Sequence, residues 1–207
     1  IYNTQNDEFL DITDLDSTKR PAFYATGSSF NAGQHLMAIG HLLIRSHINS
    51  GDHVLEYGAG FGQTSAAFAR IGANVDSVDI NPQFCNSVNE VGKFSLKAHI
   101  GEFGYNPSGK KHYYDLVFFY ECFHHCLDIK KTIKELKEII KPTGRVLLAG
   151  EPIFENICPA LPYPWGFRLD WENVSIMRHR GWLELGFQQD YLFKCFHDAG
   201  FSCKVYK

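Results

Sequence analysis

With 207 residues, a formal net charge of -3, and 44% hydrophobic against 21% charged side chains, the chain has the composition of one globular domain with a sizeable core. The slightly acidic balance supplies no basic field for nucleic acid or an anionic bilayer, and the apolar runs fall far short of the roughly 20 residues that cross a bilayer. Six scattered cysteines, Cys85, Cys122, Cys126, Cys158, Cys195 and Cys203, lack the dense spacing of a secreted disulfide scaffold, so reduced thiols and a cytoplasmic location are expected.

Residues 1–30 are rich in Asn, Asp and Thr and read as an N-terminal arm or cap. Apolar residues then recur at Leu36, Ile39, Leu42, Leu43 and Ile44, close to helical spacing, and Gly51-Asp52 closes a predicted helix over 31–48. A regular alternation follows: strand 53–57, helix 63–71, strand 74–79, helix 82–91, strand 96–100, strand 114–120, helix 129–140 and strand 145–149. The helix over 129–140 carries an apolar face at Ile129, Ile133, Leu136 and Ile140. Its lysines are interrupted by Glu135 and Glu138, which marks a solvated face rather than a docking patch. Lys141-Pro142-Thr143-Gly144 stops that helix and turns into the next strand.

After Ala149 the pattern breaks. Residues 151–187 carry Pro152, Pro159, Pro162 and Pro164 among aromatics, a segment too long and too apolar for an idle connection, and read as a substrate lid. A helix over 190–199 and a short strand over 202–206 complete the pass. Strands alternating with helices predict right-handed crossovers, hence an α/β class with a doubly wound, mostly parallel sheet covered by helices on both faces. The expected organisation is one domain over 1–207: arm 1–30, ligand-binding core 31–150, insertion 151–187, and a last helix and strand over 188–207.

The sharpest local signal is Glu56-Tyr57-Gly58-Ala59-Gly60-Phe61-Gly62, a strand end, a glycine turn and a helix start. Glycines there let the backbone turn sharply and admit a ligand where a Cβ would clash. A dinucleotide fingerprint would want glycine at position 63, where the chain has Gln63, and no Gly-Lys-Ser/Thr follows to make a phosphate loop. At the end of the second strand stands Asp79, placed to accept both hydroxyls of a ribose.

On these residues the chain resembles the class I S-adenosylmethionine-dependent methyltransferases of small-molecule type. The glycine turn matches the family's E/D-x-G-x-G-x-G, Gly101-Glu102-Phe103 stands where the family has Gly-Asp-Ala, and Lys141-Pro142-Thr143-Gly144 where it has Lys/Arg-Pro-Gly-Gly. The resemblance implies a Rossmann-like fold with S-adenosylmethionine as cofactor and S-adenosylhomocysteine as product. It also implies that Glu56, Gly58, Gly60 and Gly62 hold the methionine end and Asp79 with Ile80 the ribose. Gly101, Glu102 and Phe103 would frame the adenine, and Tyr120 with Glu121 would border the sulfonium and ammonium. The family's sheet closes with an antiparallel hairpin of two strands, of which 202–206 would supply one, so an incomplete hairpin is expected.

The resemblance further implies that His124, His125 and Glu151, at the ends of the fourth and fifth strands, act as base and orienter if the acceptor is a hydroxyl. Tyr24, Trp165, Arg168 and Arg178 are the expected acceptor contacts, aromatic walls with charged groups suited to a sugar or other polar ring. Cys and His in Glu121-Cys122-Phe123-His124-His125-Cys126 also suggest a metal, but the run has no second ligand pair nearby in sequence, so none is expected. The favoured reading is methyl transfer to a small molecule, a sugar or glycan-precursor hydroxyl, with no nucleic-acid or membrane partner and a homodimer as an option. A nicotinamide oxidoreductase and a non-catalytic cofactor-binding regulator are the alternatives.

Overall fold

The structure, a computed structural model, describes residues 24, 26–91 and 94–206. Most of the expected arm over 1–30 therefore lies outside the described residues. Ser28 opens the first helix, α1 (Ser29–Ser46), its hydroxyl accepting the amide of Asn31 at 3.3 Å. The alternation then runs β1 (His53–Tyr57), α2 (Gln63–Arg70), β2 (Asn74–Asp79), α3 (Pro82–Val91), β3 (Leu96–Ile100), β4 (Tyr114–Tyr120), α4 (Ile129–Ile139) and β5 (Ile140–Ala149).

These strands form one parallel sheet in the order β3-β2-β1-β4-β5. Chain order reverses between β1 and β4, so the crevice for a ligand is expected outside the carboxyl ends of those two strands. Both sheet faces are covered, as the continuous apolar runs require. Val54, Leu116 and Phe118 pack with Leu42 of α1 and Phe68 of α2, while their neighbours Leu55, Val117 and Phe119 pack with Ile133 and Leu136 of α4. Asp128 caps α4 by accepting the amide of Lys131 at 3.0 Å, and Ile129, Ile133, Leu136 and Ile139 form its buried face. Ile140, expected on that helix, is instead the first residue of β5 and pairs with Tyr114. The ladder then jumps to Leu116 opposite Arg145, so the Lys-Pro-Thr-Gly turn bulges out of the strand.

The segment over 151–187, expected as a substrate lid, has regular structure of its own. It contains β6 (Ile153–Phe154), β7 (Trp165–Phe167), α5 (Trp171–Arg180) and the start of β8 (Leu185–Gln188), which form a second sheet of order β6-β8-β7. Asp170 caps α5 by accepting from Asn173, and Gly181 ends it in the left-handed conformation. β8 leads directly into α6 (Gln189–Asp198), whose Leu192, Cys195 and Phe196 join the core under α4.

The expected strand over 202–206 does not form. That segment has no regular secondary structure; Arg45 lies 4.5 Å over the Tyr206 ring, and the tail lines a cleft of about 1130 Å³ along the outer edge of β5. The tail makes no backbone ladder with β5, which is the last strand of the sheet among the described residues. Among the described residues no helix is long and apolar enough to cross a membrane.

Candidate active site

The chain leaves β1 through the glycine turn. Gly58, Gly60 and Gly62 all have positive φ, at 65°, 51° and 69°. A Cβ on Gly58 would stand 2.7 Å from both Cβ and Sγ of Cys122, whereas one on Gly60 would meet nothing within 4 Å. The first glycine is thus required by a packed neighbour, and the second leaves open space at the turn. Asp79 ties the turn to β2: its Oδ2 accepts the amide of Gly60 and its Oδ1 that of Asn81, each at 2.8 Å. A carboxylate offers roughly four acceptor positions, so these two bonds fix its plane without exhausting it.

Glu56 works from beneath the turn. Its side chain is buried and accepts the hydroxyl of Ser65 in the first turn of α2, so it organises the loop from inside the protein. Burial pushes its carboxyl up to about 8, against the Ser65 hydrogen bond. Beyond β3, Gly101 donates its amide to the carbonyl of Asp79 at 3.0 Å. Half-buried Phe103 packs edge-on against Tyr57 and Phe119, so part of its surface belongs to the core. Ile80 is half-buried and Glu102 exposed, both at the same end of the sheet.

The β4 side is built differently. Tyr120 shares a 2.8 Å hydrogen bond with Nδ1 of His35 on α1, and burial, with help from Glu121, pushes its phenol up to about 12. Glu121 has φ 52°, a left-handed conformation that costs a non-glycine residue on the order of 1–3 kcal/mol and concentrates at functional sites. Its carboxyl is raised by burial, while His35 and His124 draw it down. Cys122 turns inward to the carbonyl of Tyr57 at 3.0 Å, and burial holds its thiol well above the usual range.

A single 3-10 turn, Phe123–His125, follows, and Glu151 fastens it. Its side chain is fully buried, with Oε1 accepting the amides of Cys122 and Phe123 at 2.9 and 2.8 Å. Oε2 accepts the amide of His124 at 3.0 Å and its Nδ1–H at 2.8 Å. Four donors converge on this one buried carboxylate and fix the His124 ring. The other nitrogen of that ring, Nε2, lies 3.6 Å from Oε2 of Glu184, which is buried at the end of the insertion and paired with Arg168 at 2.9 Å. His125 donates Nδ1–H to the carbonyl of Leu183 at 2.5 Å, and its ring centroid is 4.2 Å from that of His124.

The expected residues therefore separate into groups. Glu56, the three glycines, Asp79, Gly101 and Phe103 gather around the β1–β2–β3 ends, and Tyr120, Glu121, His124, His125 and Glu151 around the β4–β5 ends. Arg168 is half-buried, and its guanidinium pairs with Glu184 and Asn173. Trp165 and Arg178 are exposed on β7 and α5, and Tyr24 is exposed in the turn before α1. Sequence reading missed His35 and Glu184. It also found no further ligand for the histidine pair, yet Glu184 arrives there from about sixty residues away.

Residues 55–148 match the family model described as Methyltransferase domain. Over those residues, just under half of the chain, the protein carries a methyltransferase domain, and its fold is that of the class I, S-adenosylmethionine-dependent methyltransferases. No curated protein sequence matches the chain. Among solved structures, the methyltransferase resembles one from Haloferax volcanii, solved in complex with the Trm112 methyltransferase activator, at 21% identity and a TM-score of 0.66, over 82% of this chain and 70% of that one. An S-adenosylmethionine-dependent methyltransferase from Mesorhizobium loti has 15% identity and a TM-score of 0.66, over 81% and 82% of the two chains. Phosphoethanolamine N-methyltransferase 2 of Haemonchus contortus, in complex with S-adenosyl-L-methionine, has 17% identity and a TM-score of 0.62, over 79% of this chain and 36% of that one.

The residues present fit S-adenosylmethionine. The left-handed glycine turn is open at Gly60, a fixed carboxylate stands beside it at Asp79, and acidic and aromatic groups suited to a cationic ligand line the strand ends. The methyltransferase domain supports an enzyme and sets aside the nicotinamide alternative.

Proposed function

We propose that the methyltransferase methylates a hydroxyl group of a small molecule, with a sugar or glycan precursor as the favoured acceptor class. The observation that carries this reading is the His124–His125 pair, two imidazoles whose Nδ1 atoms are both committed to fixed oxygens just beyond β4. In a neutral ring so held, Nε2 carries the lone pair, which is the form needed to take up charge as an acceptor hydroxyl loses its proton. An amine acceptor that arrives unprotonated needs no such group.

S-adenosylmethionine, when bound, supplies a methyl group on a sulfonium as the electrophile. Gly58, Gly60 and Gly62 would hold its methionine part, Asp79 and Ile80 its ribose, Gly101, Glu102 and Phe103 its adenine, and Tyr120 with Glu121 its charged end. Glu151 acts as a positioning residue: its acceptor positions are filled by the turn and by His124, so it sets the ring rather than taking the proton. His35 positions Tyr120 in the same way. Alignment of acceptor and methyl in a site that excludes water supplies most of the acceleration.

The exposed aromatic residues of the insertion, Trp165, Tyr163 and Phe167, support contact with a ring-shaped acceptor, and exposed Trp171 a homodimer. Six unpaired cysteines support a reducing, cytoplasmic setting. The test is S-adenosylhomocysteine release, followed by mass spectrometry, with matched panels of hydroxyl and amine acceptors that include nucleotide-linked and free sugars. The reading expects turnover with hydroxyl acceptors and a product heavier by one methyl on oxygen. Turnover confined to amines would contradict it.

A further inference from the structure

His124, His125 and Glu184 form the one group among the described residues in which three metal-ligating side chains converge: one ligand atom of each lies within 4.8 Å of the other two. The turn after β4 supplies both histidines, and the residue before β8 supplies the carboxylate. One pair, His124 Nε2 and Glu184 Oε2, is 3.6 Å apart. Two ligands at bonding distance from one tetrahedral zinc stand about 3.4 Å from each other. Closing the group onto a cation therefore takes a contraction on the order of 1 Å, within the reach of side-chain torsions.

The surroundings are those of a metal site. Metal-bound histidines usually donate their second ring nitrogen to a carboxylate or a backbone carbonyl, which fixes the tautomer and aims the lone pair. Here the two histidines use one of each: Nδ1 of His124 on Glu151, and Nδ1 of His125 on the carbonyl of Leu183. The cysteines on either side do not compete, because Cys122 is turned to the carbonyl of Tyr57 and Cys126 to Thr132. The donor set is thus two imidazoles and a carboxylate, the combination that suits zinc and its first-row neighbours and leaves a coordination position open.

We propose that His124 Nε2, His125 Nε2 and a carboxylate oxygen of Glu184 bind one divalent transition-metal cation of the zinc type, with an open position for an oxygen ligand. The proposal rests on the hydroxyl-acceptor reading only for its consequence: with both Nε2 lone pairs on the cation, the cation takes over from His124 the task of favouring the deprotonated acceptor oxygen; binding of the cation stands by itself. Arg168 keeps its contact with Glu184 and orients it, as Glu151 orients His124. The competing arrangement is a closed ion-pair network in which a protonated His124 lies between Glu151 and Glu184, with Arg168 completing the charge balance.

Metal binding separates the two. The protein, stripped with a chelator and dialysed, is titrated with Zn2+ by calorimetry and with Co2+ by visible absorption, and S-adenosylmethionine binding is measured on the same samples. The proposal expects one Zn2+ per chain and a visible Co2+ band. His125→Ala and Glu184→Gln are expected to weaken Zn2+ by more than the roughly 100-fold that marks the upper end of outer-sphere effects, with cofactor affinity retained. The Co2+ band of the unaltered protein needs no variant, so a folding defect in Glu184→Gln leaves the test intact. Absence of Zn2+ and Co2+ binding in a protein that binds the cofactor would overturn the metal site alone, as would Zn2+ binding unchanged by either substitution. Loss of cofactor binding in the unaltered protein would instead strike the methyl-transfer reading.

Discussion

On the β1–β2 side of the strand ends the site is made largely of backbone: three left-handed glycines, amides pointing at Asp79, and a buried Glu56 bracing the turn from below. On the β4–β5 side it is made of side chains, with Glu151 holding a turn and a histidine, and a second histidine and Glu184 gathered beside them. The first design suits a ligand of fixed shape, because main-chain donors and missing Cβ atoms cannot be rearranged one at a time. The second suits a group whose charge changes during reaction, because imidazoles and carboxylates exchange protons. A cofactor half and an acceptor half follow, and each can be broken without the other.

The largest expected effect comes from breaking the acceptor half alone. His124→Ala should lower turnover by about 100- to 10,000-fold, the range for loss of an acid–base group, with cofactor affinity unchanged. Calorimetry and a methyl-transfer assay on the same sample check both parts. Full turnover in the variant would remove the histidine from the reaction.

Breaking the cofactor half takes a methyl group. Gly58→Ala puts a Cβ 2.7 Å from the Cβ of Cys122 at φ 65°, whereas Gly60→Ala adds one at φ 51° in open space. The positive φ costs about 1–3 kcal/mol at either position, but at Gly58 the clash with Cys122 also displaces the turn, so Gly58→Ala should weaken S-adenosylmethionine by roughly 5- to 100-fold and by more than Gly60→Ala does. Gly60→Ala should leave the fold intact, and any loss of affinity there reports contact between the new methyl and the ligand. Equal affinity in both variants and the unaltered protein would mean that the turn does not carry the cofactor.

The two halves were not equally legible in the sequence. The glycine turn, Asp79 and the strand alternation are contiguous patterns, and β1 to β4 lie where period and punctuation place them. Glu184 was invisible because it reaches the site through strands of two to four residues, too short for an alternation to register. α5 did carry a signal, Asp170 three residues before Asn173 and Gly181 at its end, that a capping search would have found. The tail over 202–206 has strand-forming residues, but register depends on a partner strand, which the segment itself does not encode.

A smaller effect sharpens the contrast through pH. Glu56 has its carboxyl raised by burial to about 8 from an ordinary value of 4.5, so the folded chain holds a proton that the unfolded chain has lost between those values. Its contribution to stability is full below about pH 4.5 and is lost as pH rises through about 8, with a slope of at most about 1.4 kcal/mol per pH unit. Glu56→Gln should flatten the melting temperature of the protein over that window. An unchanged pH profile would show that Glu56 is ionised in the folded state.

The most direct test of the cofactor half is the affinity of the unaltered protein for S-adenosylmethionine and S-adenosylhomocysteine, measured by calorimetry beside Asp79→Ala and with NADH as a control ligand. The account predicts binding of both sulfur ligands, marked weakening by the substitution, and no binding of NADH. A folded protein that binds neither sulfur ligand, or binds them equally well without the Asp79 carboxylate, would contradict it.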